Sequence, residues 1–167
     1  MSNFYVDGGA ALTSDRDDWE TPRWLFDKLD AVWHFTLDPA SNGRNALCEK
    51  FFTKEDDGLA QSWGGHSVFL NPPYGRQMSA WLEKAALESR KPNTIVIVLV
   101  PARTDTGWWW DWVVPYAAEI SFLRGRVKYC LDGKELNSSP FPSCLIRFGG
   151  ELPKSAKPDG PSGPSLF

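Results

Sequence analysis

The chain has 167 residues, room for one hydrophobic core and little more. At 42% hydrophobic and 14% aromatic residues it is neither a disordered nor a fibrous polypeptide. Its 18 Lys plus Arg against 21 Asp plus Glu leave a net charge of -3, which excludes a basic coat for nucleic acid; any such contact has to come from a local cluster of cations.

Residues 1–17 show no apolar period and are expected to be a flexible N-terminus, with the body running from about Asp18 to Phe148. Thr21 followed by Pro22 is a helix-start signature, a hydroxyl cap and then a residue with preset φ, and Trp24, Leu25 and Leu29 follow at helical spacing, so a helix is expected over about 22–32. His34 to Leu37 reads as a short strand ending at Asp38-Pro39. Ser41, Asn42 and Gly43 then mark a tight loop, which opens onto an expected helix near Asn45 to Lys50.

Ser67 to Leu70 is an apolar strand that stops at Asn71-Pro72-Pro73-Tyr74-Gly75, because two prolines cannot continue a ladder. Met78, Trp81, Leu82, Ala85 and Ala86 place one apolar stripe on a helix, whose Glu83, Lys84, Glu88 and Arg90 read as a solvated face. Thr94 to Val100 is a continuous β-branched run, the mark of a strand buried on both sheet faces, and it ends at Pro101-Ala102-Arg103.

A Trp-rich helix (about 107–117), a strand near 120–123, a hairpin turning at Asp132-Gly133 and a last strand near 144–148 complete the body. Residues 149–167 are rich in Pro, Gly and Ser and are expected to be a disordered tail. Alternating strands and helices closed by antiparallel strands give an α/β sheet with helices on both faces. The strand ends Asp38-Pro39, Asn71-Pro72-Pro73-Tyr74 and Pro101-Ala102-Arg103 are expected to converge on one crevice, since ligands of such sheets bind beyond the carboxyl ends of the strands.

Cys48, Cys130 and Cys144 share no CxxC spacing, and His34 and His66 no metal spacing, so neither a zinc site nor a disulfide framework is expected. The start lacks the pattern of a signal peptide, and the run 95–100 is too short to span a bilayer. A cytoplasmic protein without metal or membrane partner, and monomeric by default, is the expectation.

The tetrapeptide Asn71-Pro72-Pro73-Tyr74 suits one chemistry in particular, activation of an exocyclic amine on a planar ring. Such an amine is a poor nucleophile because its lone pair is delocalised. The Asn71 side-chain oxygen and the Pro72 carbonyl can each accept one N–H, holding the nitrogen closer to tetrahedral. The prolines stiffen the loop, and the Tyr74 ring offers a face on which a flipped base can stack.

This tetrapeptide matches the (D/N)PPY motif of S-adenosylmethionine-dependent amino-methyltransferases. Together with Trp19-Glu20-Thr21-Pro22, Leu37-Asp38-Pro39-Ala40, Asp57-Gly58-Leu59, Val100 to Thr106, Gly125-Arg126 and Pro140-Phe141-Pro142-Ser143, it makes the chain resemble the phage-type DNA N-6-adenine methyltransferases over about 18–148. The resemblance implies a Rossmann-like methyltransferase fold, mostly parallel with antiparallel C-terminal strands, from a phage or prophage. It implies S-adenosylmethionine as cofactor and double-stranded DNA as partner.

By the same resemblance Thr21 and Pro22 would cover the methionine part of the cofactor, and Asp38, Pro39 and Ala40 would meet its amino group, where a carboxylate suits a cation. Glu49 would face the ribose, and Asp57, Gly58 and Leu59 the adenine edge.

The chain departs from the general methyltransferase pattern in two ways. The loop after the first strand, Asp38 to Gly43, is not a G-x-G turn, and Asn71 follows so soon that a strand-helix unit has been shortened or lost. There is also no separate target-recognition domain, so DNA contacts fall to loops carrying Arg76, Arg103, Arg124, Arg126, Lys128 and Lys134. Two other readings fit the tetrapeptide or the fold: methylation of another planar nitrogen, in RNA adenine or protein glutamine, and a catalytically silent DNA-binding module. In the cluster Trp108, Trp109, Trp110 and Trp112 most rings are expected in the core, with one left for a base.

Overall fold

The computed structural model describes residues 18–150. The expected flexible segment 1–17 and the tail beyond Gly150 lie outside the described residues. The main sheet has the order β2-β1-β3-β4-β8-β5, from β1 (Leu37–Asp38), β2 (Lys50–Phe51), β3 (Ser67–Leu70), β4 (Ile95–Pro101), β5 (Glu119–Phe122) and β8 (Ser143–Gly149). β2, β1, β3 and β4 are mutually parallel, and β8 runs antiparallel between β4 and β5.

β4 is the centre of the core. Val96 to Val100 are fully buried, as the β-branched run requires, and each such side chain is worth about 1.5–3 kcal/mol of apolar burial. Helix α1 (Arg23–Trp33) buries Leu25, Phe26, Leu29 and Trp33, and α2 (Met78–Glu88) buries the stripe read from the sequence. Helix α1 ends where His34 takes a left-handed conformation (φ 48°) and donates its N–H to the Asp30 carbonyl, so the first strand begins later than expected.

The Trp-rich segment forms a π-helical turn over Trp109–Val113 followed by α3 (Val114–Tyr116). Pro115 has no N–H to give, and the Val114 N–H reaches back five residues to the Trp109 carbonyl. The shifted register buries Trp109, half-buries Trp108 and Trp112, and leaves Trp110 exposed with its Nε1 donating to the Thr104 carbonyl. A separate hairpin, β6 (Cys130–Leu131) and β7 (Lys134–Glu135), turns at Asp132 and Gly133, both at positive φ as a two-residue hairpin needs.

Two expectations are corrected here. No helix forms near Asn45 to Lys50: this stretch is an irregular arch from β1 to β2, because Lys50 and Phe51 pair with β1 and the Leu47 N–H is taken by Asp38 Oδ2. Asn45 Oδ1 accepts from the Asn42 N–H (2.9 Å) and the Ser41 hydroxyl (3.1 Å), while Asn42 Oδ1 accepts from the N–H groups of Arg44 and Asn45 (both 3.0 Å).

Glu88 is not on a solvated face either. It is buried, bonded to Lys84 (2.8 Å) and Lys91 (2.7 Å), and accepts the Trp63 N–H at 2.8 Å. Burial pushes its carboxyl up, but these partners outweigh it and hold it below its ordinary value.

Candidate active site

The chain leaves β1 toward β2 on one side and leaves β3 toward β4 on the other, so the strand order reverses between β1 and β3. At that point, beyond the carboxyl ends of both strands, lies a crevice of about 590 Å³, a size ordinary for a small-ligand site. Asp38, Pro39 and Ala40 from the end of β1 line it, as do Asp57, Gly58 and Leu59, Phe69, Asn71 and Pro73 around β3, Gln77 and Trp81 of α2, and the strap Asp18 to Thr21.

Asp38 is buried, and no cation among the described residues pairs with it. Oδ1 accepts the Ala40 N–H and Oδ2 the Leu47 N–H, each at 3.2 Å. Burial raises its pKa to about 6 against the pull of those two bonds. A buried carboxylate of this kind is a site for a cation.

Gly58 closes the floor of the crevice. A Cβ there would stand 2.1 Å from the Pro39 carbonyl oxygen and 3.1 Å from the Trp81 ring, so only glycine permits this approach. The preceding Asp57 takes the strained left-handed conformation (φ 53°).

The Asn71 amide is fixed in one orientation. Nδ2 donates to the Trp19 carbonyl (2.5 Å) and to Thr21 Oγ1 (3.0 Å), and since a carbonyl can only accept, the nitrogen has to be the end that faces it. Oδ1 is thereby left buried with no hydrogen-bond partner. A second orphan on the crevice wall is Trp81 Nε1, a buried donor without acceptor. Such groups are rare in folded proteins, and here one acceptor and one donor belong to residues that line the same crevice as an unpaired carboxylate. This set fits S-adenosylmethionine, which brings a cationic amine, and a purine amine with protons to give.

The expected residues separate into two groups. Thr21, Asp38, Pro39, Ala40, Asp57, Gly58, Leu59, Asn71 and Pro73 meet at the crevice. Pro22, Pro72, Glu49 and Tyr74 do not line it. Pro22 is the buried N-cap residue of α1, and the Thr21 hydroxyl makes no cap bond because it is turned to Asn71.

Glu49 is exposed on the arch, where no helical turn carries it inward. The Tyr74 ring is 9% exposed, packed edge-on against Tyr129 and Phe141, and its hydroxyl lies 3.1 Å from both the Leu99 carbonyl and the Tyr129 hydroxyl. It is a core group in this structure, not an open stacking face. Pro101, Ala102 and Arg103 also stay off the crevice, because Pro101 pairs with Ser143 and the Ala102 N–H bonds to the Pro142 carbonyl.

Arg76, Arg103, Arg124 and Arg126 are exposed and make no ion pair with another described residue. Lys128 is exposed and meets Glu135 at 3.3 Å, and Lys134 is exposed on the hairpin. Because β3, β4 and β5 point the same way, the loops bearing Arg76, Arg103, Arg124 and Arg126 all leave the sheet at the edge that holds the crevice. Sequence reasoning missed Trp19, whose contribution is a backbone carbonyl, and Trp81, which is indistinguishable from a core residue by spacing.

Among the described residues no group of His, Cys, Asp and Glu could hold a metal ion, and no helix is long and apolar enough to cross a membrane. The cysteines are free; burial, with Asp38 and Asp30 nearby, pushes the Cys48 thiol up to about 12, and burial does the same to Cys144. Neither thiol is a nucleophile at neutral pH.

Comparison with known proteins agrees with this geometry. The family model described as DNA N-6-adenine-methyltransferase matches residues 8–148. A DNA N-6-adenine-methyltransferase of Escherichia phage T1 is 34% identical over 122 residues, covering 72% of this chain and 50% of that protein. One from Haemophilus phage HP1 (strain HP1c1) is 29% identical over 145 residues, covering 84% and 83%. The chain thus spans half the length of the first relative and most of the second. On the family match, the chain belongs to the DNA N-6-adenine-methyltransferase family.

Proposed function

We propose that this chain transfers a methyl group from S-adenosylmethionine to N6 of an adenine in DNA. The observation that carries the reading is the buried, unpartnered Asn71 Oδ1 beside the crevice, held as an acceptor by the bonds on Nδ2. The names of the phage relatives support adenine N6 as the acceptor.

S-adenosylmethionine, when bound, supplies an electrophilic methyl carbon on a positively charged sulfur. Asp38 holds the amino group of that ligand, because a desolvated carboxylate gains most from a cation. Asp57, Gly58 and Leu59 form the wall for its adenine. Asn71 Oδ1 accepts one N–H of the target amine, which withdraws its lone pair from the ring and aims it at the carbon. With the donor bound, the nitrogen would form the new C–N bond as the C–S bond breaks with its electron pair going to sulfur, and one amine proton would pass to water, leaving the methylated amine neutral. Pro72 and Pro73 keep the loop from relaxing as charge develops.

The target base has to leave the duplex to reach Asn71, and Arg76, Arg103, Arg124, Arg126 and Lys128 hold the flanking phosphates. The test is Asn71→Ala: methyl transfer to DNA is lost while S-adenosylmethionine binding by calorimetry stays near wild type. Full activity in that variant would refute the mechanism.

A further inference from the structure

An asparagine side chain has two ends of similar size and opposite hydrogen-bonding character, so its service as an acceptor depends on what holds the other end. In this protein both holders come from the strap: the Trp19 carbonyl and the Thr21 hydroxyl. Turning the amide over would set Oδ1 against the Trp19 carbonyl, oxygen facing oxygen.

The strap is itself pinned from its far side. The Glu20 N–H donates to the Cys130 carbonyl (3.1 Å), the Cys130 N–H donates to the Glu20 carbonyl (2.9 Å), and Glu20 Oε2 accepts the Gly133 N–H (3.0 Å). Thr21 is 9% exposed, and its hydroxyl is not spent on capping α1.

From these contacts we infer that Thr21 is a positioning residue for the reaction: the Trp19 carbonyl sets which end of the Asn71 amide faces the strap, and the Thr21 hydroxyl, accepting from Nδ2, holds the amide in the place that presents Oδ1 to the target amine. The inference rests on the methyl-transfer reading above. It gives Thr21 a task distinct from contact with the donor, and it makes the hairpin the anchor of the strap that sets the acceptor.

Thr21→Val and Thr21→Ala remove the hydroxyl, and Thr21→Ser keeps it. In steady-state methyl transfer, the Val and Ala variants are expected to lose about tenfold in kcat, with KM for DNA and donor within about twofold of wild type. Ser should stay close to wild type. Thermal melting and S-adenosylmethionine calorimetry report whether fold and donor affinity are retained, and should Val fail to fold, Ala decides, since it adds no bulk.

Wild-type kcat in the hydroxyl-free variants overturns the inference, as does an equal loss in the Ser variant or a loss explained wholly by donor affinity. Asn71→Ala in the same assay separates two failures. If it is inactive beside fully active Thr21 variants, only the positioning role falls; if it is active, the acceptor role of Asn71 falls with it; and if the wild type transfers no methyl group to DNA, the methyl-transfer reading itself falls.

Discussion

β4 has seven residues, six of them buried, and pairs along its whole length with β8, whereas β1 and β2 on the other side of the sheet have two residues each. The first pair is held by apolar burial and a continuous ladder. The second is held by an arch of Ser and Asn side chains bonded to nearby amides and by a single buried carboxylate. A doubly wound sheet ordinarily sets three strands on each side of its switch point, and here the β1 side has two. The two flanks are therefore built differently: one supplies the rigid stem from which Asn71 projects, and the other lines the crevice with a polar, lightly built wall.

The largest expected effect breaks the strong flank. Leu99→Ala in β4, at a fully buried position, should cost about 2–5 kcal/mol in urea unfolding, whereas Phe51→Ala in β2, 37% exposed, should cost about 1 kcal/mol or less. Comparable costs at the two sites would contradict the division.

On the weak flank the effect is on binding and depends on pH. Asp38 has a folded pKa of about 6, raised from 3.8, so its ionised form costs the ligand-free fold stability as pH rises from about 4 to about 6. The same ionisation is what attracts a cation. Calorimetry with S-adenosylmethionine should show affinity about tenfold lower at pH 5 than at pH 7, and Asp38→Asn should bind weakly with little pH dependence. A flat profile in the wild type would remove Asp38 from the cation site.

Smaller still is Tyr74→Phe. It removes the hydroxyl bonded to Leu99 and Tyr129, and about 1 kcal/mol of stability should go with it. The smallest effect is at the edge of the crevice, where replacing Arg124 or Arg126 by Gln should weaken DNA binding uniformly and reduce the salt slope by about one.

What could be read from the sequence follows the same division. The strong flank announces itself through apolar periodicity: the run 94–100, the stripe on α2 and the strand before Asn71 each lie within a residue or two of where spacing put them. The Asp132-Gly133 turn was equally legible, because few residue pairs tolerate positive φ twice.

The weak flank carries no period. Whether 45–50 is helix or arch turns on the pairing of Lys50 and Phe51 with β1 and on the bond from the Leu47 N–H to Asp38, and those are tertiary facts. Glu88 read as solvated because spacing cannot show Lys91 and the Trp63 amide closing over it. At the site, residue types put Asn71 and Asp38 forward, and both line the crevice. They could not give the direction of the Asn71 amide, which a backbone carbonyl decides, nor the enclosure of Tyr74 by Tyr129 and Phe141.

The most direct measurement is nucleoside analysis by mass spectrometry of plasmid DNA recovered from cells, of a strain lacking its own adenine methylation, that express either the wild-type chain or Asn71→Ala. N6-methyladenine is expected with the wild type and none above background with the variant. Equal amounts from both, or methylation appearing only on another base, would contradict the proposed mechanism.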